Sequence, residues 1–152
     1  MPLELKTFLI AATPILELRG SIPIALGVYH LPVFSTFWLS ILGNLVPVVF
    51  LLWFLGKAAE FLSHHSYLFN RFFAWLFEKT RKNHTKKFAR WKEFALLILV
   101  AIPLPFTGAW TGSLCAFVFG IPFKKAFLLI TAGVIIAGLI VTLTTLGIIK
   151  IL

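Results

Sequence analysis

Residues 101–113 read AIPLPFTGAWTGS and interrupt an uncharged stretch that covers residues 94–123. That stretch is longer than the ~20 apolar residues that one helix needs to cross a bilayer. Residues that lack an amide proton or disfavour helix fall in its middle: Pro103, Pro105, Gly108 and Gly112. A broken backbone at membrane depth is tolerated only inside protein or beside a water-filled cavity. The pattern therefore predicts a re-entrant hairpin over residues 94–119, with a proline-kinked spanning helix as the alternative.

The composition of the whole chain is typical of an integral membrane protein. Of the 152 residues, 60% are hydrophobic and 12% are charged, the mean hydropathy is +0.99, and neither Asp nor Gln occurs. Soluble domains are about half apolar and about a quarter charged. These values exclude a disordered chain and a soluble enzyme, and a single cysteine, Cys115, excludes a disulfide scaffold. The first apolar run has no basic region before it, so we expect no cleaved signal peptide.

The other uncharged stretches predict two spanning helices and a second hairpin. Residues 126–149 and residues 35–56 each have the length of one crossing. Residues 7–16 are too few to cross, and the segment ELRGSIP at residues 17–23 follows Pro14. Its charges would be costly in a lipid-facing helix. We expect ELRGSIP to form the tip of a first hairpin, and the predicted fold is an all-α membrane protein.

The two halves of the chain resemble each other. A shift of 90 positions aligns Pro32 with Pro122 and Gly43 with Gly133, and each half has a broken hairpin, an X-Pro turn and a long helix in the same order. Interrupted hydrophobic segments at matching positions are typical of transporters built from inverted repeats. The sequence predicts one membrane domain, 1–152, in three parts: repeat 1–56, linker 57–93 and repeat 94–152.

The linker at residues 57–93 carries nine basic and three acidic residues, a large part of the net charge of +9. Its apolar residues recur at helical spacing, so we expect an interfacial amphipathic helix followed by a basic loop at residues 79–87. Basic segments of membrane proteins stay in the cytoplasm, which explains the charge without a nucleic-acid partner. The linker is thus predicted to be a cytoplasmic topology anchor, with lipid headgroup binding as the alternative. The two hairpins then open on opposite faces of the membrane.

Glu17 and Arg19 are the charged residues that lie well inside an apolar region. On a regular helix, side chains at this spacing point to nearly opposite sides, so these two can pair only across a turn. Ionisable groups inside a membrane are functional-site candidates by default. Because low hydration favours the neutral form of a carboxyl group, we expect Glu17 to exchange protons while Arg19 binds an anion. A structural ion pair that holds the tip is the alternative.

The second tip is polar but uncharged. Where a broken helix resumes, free N–H groups and the helix dipole favour an anion. Together the two tips give the predicted substrate-binding residues: Arg19, Gly20, Ser21, Pro23, Thr107, Gly108, Trp110, Thr111, Gly112 and Ser113. The predicted helix breaks are Pro14, Pro103 and Pro105. Asn44, within the first long helix, is expected to bond to another helix or to a tip.

Catalytic constellations are missing from the sequence. A Ser-His-Asp triad needs an aspartate, and no zinc-protease, hydrolase or phosphate-loop motif occurs. The pair His64 and His65 makes a poor metal site. The sequence therefore predicts neither an enzyme nor a metal or other cofactor.

ELRGSIP after a proline, followed in the second half by PLPFTGAWTGSLCA, resembles the small multi-drug export family of bacterial and archaeal membrane proteins. That family is similar to the DedA, or VTT-domain, superfamily. The resemblance implies two re-entrant loops in inverted repeats, a prokaryotic plasma membrane location, and proton-coupled transport or movement of lipids, including polyprenyl phosphate carriers. DedA proteins use further acidic and arginine residues, and this chain has no arginine in its second tip. By motif position the resemblance points to Glu17, Arg19, Gly20, Pro23, Pro103, Thr107, Gly108, Trp110 and Gly112.

Three functions fit these patterns. The first is a small secondary transporter, proton-coupled, that moves an anionic or amphipathic substrate through a site formed by the two tips. The second is a lipid-phosphate or phospholipid flippase or scramblase that uses the same site, and the third is a membrane scaffold whose basic linker recruits partners. Membrane lipids and a small-molecule or lipid substrate are the expected partners, and a homo-oligomer is left open.

Overall fold

The computed structural model describes residues 1–65, 67–81, 86–105 and 107–152. These residues form helices and no strand. The prediction of an all-α protein is therefore confirmed. The seven helices are α1 Leu3–Ala12, α2 Glu17–Gly27, α3 Val33–His65, α4 Tyr67–Arg81, α5 Lys86–Ala101, α6 Ala109–Phe119 and α7 Phe123–Ile151.

The proline-containing segments separate the short helices. Pro14 lies between α1 and α2, and Pro103 and Pro105 lie between α5 and α6. Thr13 has an extended backbone with ψ 145°, as expected for a residue that precedes proline. The break therefore falls at residues 13–16, before the ELRGSIP segment that was expected to form it.

ELRGSIP itself forms the first two turns of α2, which corrects the predicted position of the first tip. Backbone hydrogen bonds already connect Glu17 N with Thr13 O at 3.1 Å and Gly20 N with Leu16 O at 2.9 Å, so the helix resumes directly after the proline. Pro23 lies inside α2, where it removes one backbone donor without ending so short a helix.

Two helices, α3 and α7, are long and apolar enough to cross a membrane. α3 continues to His65, beyond the predicted end of the crossing at Gly56. Charged residues mark where a chain leaves an apolar environment, but they do not stop helix formation. The Lys57 side chain illustrates this, because its Nζ lies 4.5 Å from the centre of the Trp53 ring, one turn earlier on the same helix.

The linker is more helical than predicted. α4 bears the expected aromatic side chains, among them Phe72 and Trp75, both more than half exposed. The predicted basic loop at residues 79–87 is helical at both ends, since α4 includes residues 79–81 and α5 begins at Lys86. Its centre, residues 82–85, lies outside the described residues.

In each half of the chain, a shorter helix packs against the long helix at an equivalent glycine. A Cβ added at Gly43 of α3 would collide with the carbonyl oxygen of Phe8 in α1. A Cβ added at Gly133 of α7 would lie 2.7 Å from Val100 Cβ and 3.2 Å from Leu97 O in α5. The turns before the long helices match too, since they contain the bonds Thr36 N to Pro32 O and Ala126 N to Pro122 O.

The core lies where α3 and α7 cross. Gly138 of α7 packs against Phe37 and Ile41 of α3, and α2 packs against both long helices. The buried cluster contains Leu18 and Ile22 from α2 together with residues from α3, α5, α6 and α7. This arrangement places the beginning of α2 and the beginning of α6 between the two long helices.

The close approach at Gly43 and Gly133 predicts that alanine substitutions at two glycines of the same long helix change the free energy of unfolding by different amounts. Gly43→Ala and Gly133→Ala should each destabilise the protein by about 1–3 kcal/mol, because their methyl groups meet backbone or a branched side chain. Gly56→Ala in α3 and Gly147→Ala in α7 are the matched controls, since nothing lies within 4 Å of their Cβ positions. These controls should be neutral or stabilising by up to about 1 kcal/mol through helix propensity.

Thermal unfolding of the detergent-solubilised variants, followed by circular dichroism, measures this difference. Equal unfolding temperatures for the Gly43→Ala and Gly56→Ala proteins would contradict the packing described for α1 and α3.

Candidate functional site

Glu17 begins α2 with an unusual backbone and a buried side chain. Its φ is +50°, a value that few residues other than glycine adopt, and the residue is 2% exposed. This conformation forms the turn that pairing with Arg19 requires. The Arg19 guanidinium Nη2 lies 3.5 Å from Glu17 Oε2, so two residues that a regular helix would direct apart form an ion pair.

The second half of the chain supplies hydrogen bonds to this pair. The backbone N–H of Trp110, in the first turn of α6, donates to Glu17 Oε1 at 3.3 Å. Free N–H groups and the dipole at a helix N-terminus favour a carboxylate there. The first tip therefore provides the anion that the second tip was predicted to bind.

Gly108 allows the two tips to approach so closely. Its φ is +137°, and a Cβ at this position would collide with Glu17 Oε2. Both the backbone conformation and the contact thus require glycine. Gly108 precedes α6 directly and accepts the Gly112 N–H at 2.8 Å, which closes the first turn of that helix.

Arg19 also reaches the second tip. Its guanidinium donates a hydrogen bond to the carbonyl oxygen of Thr107. The Thr107 hydroxyl donates to Ile102 O at 2.8 Å and accepts the Leu104 N–H at 3.2 Å. Side-chain hydrogen bonds of Thr107 thus connect the described residues of the segment between α5 and α6, and the Thr107 carbonyl group faces Arg19. The Arg19 side chain is 21% exposed against 3% for Glu17.

A small cavity lies beside the ion pair. Glu17, Arg19, Asn44, Thr107 and Gly108 contribute to its wall, and its volume of about 10 Å³ is roughly the space that one water molecule needs for its centre. Within the part of the chain that the structure describes, Asn44 Oδ1 is buried without a hydrogen-bond partner. An unpaired buried acceptor costs about 1–3 kcal/mol, so this oxygen is suited to water or to a donor group of a substrate.

Trp110 contributes its backbone to the site. Its backbone N–H binds Glu17. Its indole Nε1 is buried and has no hydrogen-bond partner among the described residues, but the residue is not part of the cavity wall.

Several residues of the two motifs lie away from this cavity. Ser21 Oγ donates to Ser40 Oγ of α3 at 2.7 Å, and Ser113 Oγ donates to Ala109 O of its own helix at 2.7 Å. A Cβ at Gly112 would collide with Val100 of α5. Gly20 packs against Leu16, Pro23 lies within α2, and Thr111 lies in the first turns of α6. The structure thus brings together Glu17, Arg19, Thr107, Gly108 and Trp110.

The sequence predicted a bond from Asn44 to another helix or to a tip, but it did not place Asn44 among the substrate-binding residues. The structure puts Asn44 in the cavity wall beside Glu17, and its Oδ1 has no partner among the described residues. The signal was its position as an amide in an apolar helix. Whether Asn44 lies beside Glu17 depends on how α2 and α3 pack, which the local sequence does not specify. In the described ranges, no three side chains of His, Cys, Asp or Glu come together to hold a metal ion.

Comparison with protein families matches residues 17–140 to the family described as "Putative small multi-drug export protein". The chain belongs to this family. The matched region begins at Glu17 and includes both tips, which confirms the family resemblance drawn from their motifs. Comparisons with curated proteins and with solved structures give no match. The family and the two long apolar helices make the chain a membrane protein, and a relation to DedA proteins stays a prediction.

The contact at Gly108 predicts that even a methyl group separates the tips. Gly108→Ala should lower the unfolding temperature, because the added Cβ displaces the Glu17 carboxylate and the positive φ is strained. Gly27→Ala in α2 is the matched control, since its Cβ would meet no atom within 4 Å. The two variants, compared in lipid nanodiscs by thermal unfolding, should differ by about 1–3 kcal/mol. Equal stabilities would contradict the approach of the two tips.

Proposed function

We propose that this protein is a small secondary transporter that exports an anionic or amphipathic substrate together with a proton. The observation that carries the proposal is the ion pair of the buried Glu17 and the partly exposed Arg19, which meets Thr107 and the first turn of α6 from the other half of the chain. Buried ionisable groups in a membrane protein mark ion and substrate pathways. The family description supports export as the direction of transport.

We propose in addition that the short helices are re-entrant and that the two halves form inverted repeats. α1, α2 and α6 have 10, 11 and 11 residues, or ~15–17 Å at 1.5 Å per residue. The hydrocarbon core of a bilayer is ~30 Å thick. Each of these helices therefore reaches about half-way, and both tips end near the middle of the membrane. The basic linker then lies in the cytoplasm of a prokaryotic cell, in accordance with the positive-inside rule.

Charge balance at the ion pair couples proton binding to anion binding in this proposal. When Glu17 is ionised, it neutralises Arg19 and the site has no net charge. Protonation of Glu17 leaves the positive charge of Arg19 uncompensated, and Arg19 then attracts an anion. Because coupling between two ligands is reciprocal, a bound anion equally favours protonation of Glu17. A substrate that accumulates inside the cell would leave with a proton, and the net charge moved would be zero for a monovalent anion.

A lipid phosphate is the second candidate substrate for the same site. Arg19 is the partly exposed member of the pair, and a planar guanidinium suits a phosphate group. The same charge balance applies to a phosphate headgroup. Transport of a fluorescent lipid phosphate, instead of a small organic anion, would identify the flippase alternative. Loss of function on changing the linker alone would favour the scaffold.

Neutralising Glu17 should uncouple transport from protons. In proteoliposomes, Glu17→Gln should remove the pH dependence of anilinonaphthalene sulfonate efflux and lower the accompanying proton flux at least tenfold, because an amide cannot bind the proton. Glu4→Gln is the matched control, since Glu4 is exposed at the start of α1. Its efflux should keep the pH dependence of the parent protein.

Efflux that stays pH-dependent in the Glu17→Gln variant would contradict the proposed proton coupling. If Glu17→Gln inserts normally and its efflux remains pH-dependent, Glu17 is a structural partner of Arg19 and not the coupling group.

A conservative change at Arg19 separates charge from geometry. Arg19→Lys keeps the charge but loses the planar fork, and loss of one charged hydrogen bond costs ~1.5–3 kcal/mol, or roughly ten- to a hundredfold in affinity. We expect the KM for the anion to rise by that factor, while Arg71→Lys on α4 leaves it unchanged. Full activity of Arg19→Lys at subsaturating substrate would indicate that Arg19 only neutralises Glu17.

A further inference from the structure

The first half of the chain has polar side chains at buried positions where two of its helices pack. Ser21 Oγ of α2 donates to Ser40 Oγ of α3 at 2.7 Å. Glu17 lies one turn before Ser21 on α2, and Asn44 lies one turn after Ser40 on α3. Both residues line the cavity at the tips. α2 and α3 are therefore antiparallel at this contact. Polar groups continue from the ion pair along their shared face.

On α3 these polar residues form a stripe that we call the polar stripe, defined as Thr36, Ser40 and Asn44. Their spacing of four residues puts them on one face of the helix, and each is at most 1% exposed. Thr36 Oγ1 and Asn44 Oδ1 have no hydrogen-bond partner within the described ranges. Native proteins rarely leave buried polar atoms unsatisfied, and ordered water is the usual partner where protein groups are missing.

The second half provides an internal comparison. The shift of 90 positions that aligns Gly43 with Gly133 also aligns the polar stripe with Ala126, Ile130 and Val134 of α7. These three are equally buried, at 0–1% exposure, but they carry no polar side-chain atom. We call them the apolar stripe. The two halves thus bury the same face of the long helix and differ in its chemistry.

The short helices differ in the same sense. Ser21 bonds across to α3, whereas Ser113 bonds to Ala109 O of its own helix. Gly112, one residue before Ser113, has Ile130 of the apolar stripe near its Cβ position, at 3.8 Å. The packing of α6 against α7 is therefore apolar at the level where the packing of α2 against α3 is polar.

We propose that the polar stripe marks a narrow path that fills with water when α2 and α3 separate, and that connects the Glu17 site with the end of the bundle where α3 begins. In the packed arrangement Thr36 and Ser40 are fully buried, so the path is closed there. Thr36 lies one turn from Val33, which is 41% exposed at the start of the helix. Asn44 lies eight residues further, or ~12 Å along the axis, in the wall of the tip cavity. The apolar stripe closes the equivalent route in the second half. Protons therefore exchange between the Glu17 carboxylate and one end of the bundle.

This path gives the proposed proton coupling a direction, and to that extent it deepens the proposed function. With the linker in the cytoplasm, α3 begins outside, so this path is the route by which the proton that accompanies the substrate leaves Glu17 for the outer solution. The path can be tested independently of transport, because the access of water to the polar stripe can be measured without a substrate.

Reaction of cysteines with Ag⁺, a thiophilic ion small enough for a narrow path, tests the proposal. Each stripe residue is replaced singly by cysteine in a Cys115→Ser background, and the full-length protein is kept in lipid nanodiscs. Two pairs of variants are matched by the repeat: Thr36→Cys with Ala126→Cys, and Ser40→Cys with Ile130→Cys. Val134 lines the same cavity as Asn44, so Asn44→Cys and Val134→Cys both report on the cavity and are not compared as a pair. Unreacted thiol is counted by mass spectrometry after denaturation.

We expect the cysteines at Thr36 and Ser40 to react at least roughly tenfold faster than their partners, because a thiol reacts only where its thiolate is solvated and accessible. Equal rates within the pairs would overturn the proposal. Thr36→Cys and Ala126→Cys both introduce a small side chain, so this pair decides the matter even if a larger replacement fails to fold.

Failure of this proposal and failure of the proposed function are distinguishable. If the polar stripe reacts but Glu17→Gln leaves pH-dependent efflux intact, the path exists and the coupling group lies elsewhere. If both stripes are inert but Glu17→Gln abolishes the pH dependence, the coupling stands and protons leave Glu17 by another route.

Discussion

The hydrogen bonds that the Glu17 carboxylate receives are the constraint on which the rest of the structure depends. A buried carboxylate needs compensation, and here it comes from Arg19 two residues later and from the Trp110 N–H of the other half. Both contacts need a special backbone, a positive φ at Glu17 and a glycine at position 108. Because the partners come from both halves, the ion pair also holds the two tips together between α3 and α7. One interaction therefore fixes the tips, the cavity and the net charge of the site.

The two halves provide the same scaffold for different chemistry. Gly43 and Gly133 let α1 and α5 lie close to the long helices, so each half packs a shorter helix on its long helix at an equivalent position. On that scaffold the first half places Glu17, Ser21, Ser40 and Asn44, while the second places backbone groups and apolar side chains. In the proposed transporter, the polar residues of the first half give protons a route from Glu17 that the second half lacks. The function proposed here depends on that difference as much as on the ion pair itself.

The sequence predicted the features that arise from local chemistry. Proline removes a backbone donor wherever it stands, so the breaks near Pro14 and Pro103 and the starts of α3 and α7 were predictable. The end of α3 was not, because charged residues such as Lys57 mark the limit of the apolar environment and not of the helix. The first tip was placed too late, since Pro23 is tolerated within α2. The approach of Gly108 to Glu17 and the place of Asn44 depend on contacts between distant residues, which no local pattern specifies.

The most direct test of the account is a distance measurement between the tips in a lipid bilayer. Solid-state NMR on protein labelled with ¹³Cδ-glutamate and ¹⁵N-tryptophan detects dipolar dephasing between a glutamate carboxyl and a tryptophan backbone nitrogen. The 3.3 Å between Glu17 Oε1 and Trp110 N places the labelled Cδ roughly 4 Å from that nitrogen, since a C–O bond is about 1.2 Å long. We expect dephasing that corresponds to this carbon–nitrogen distance, and its loss in Glu17→Gln. Dephasing that is absent, or that is the same in Glu17→Gln, would contradict the meeting of the two tips.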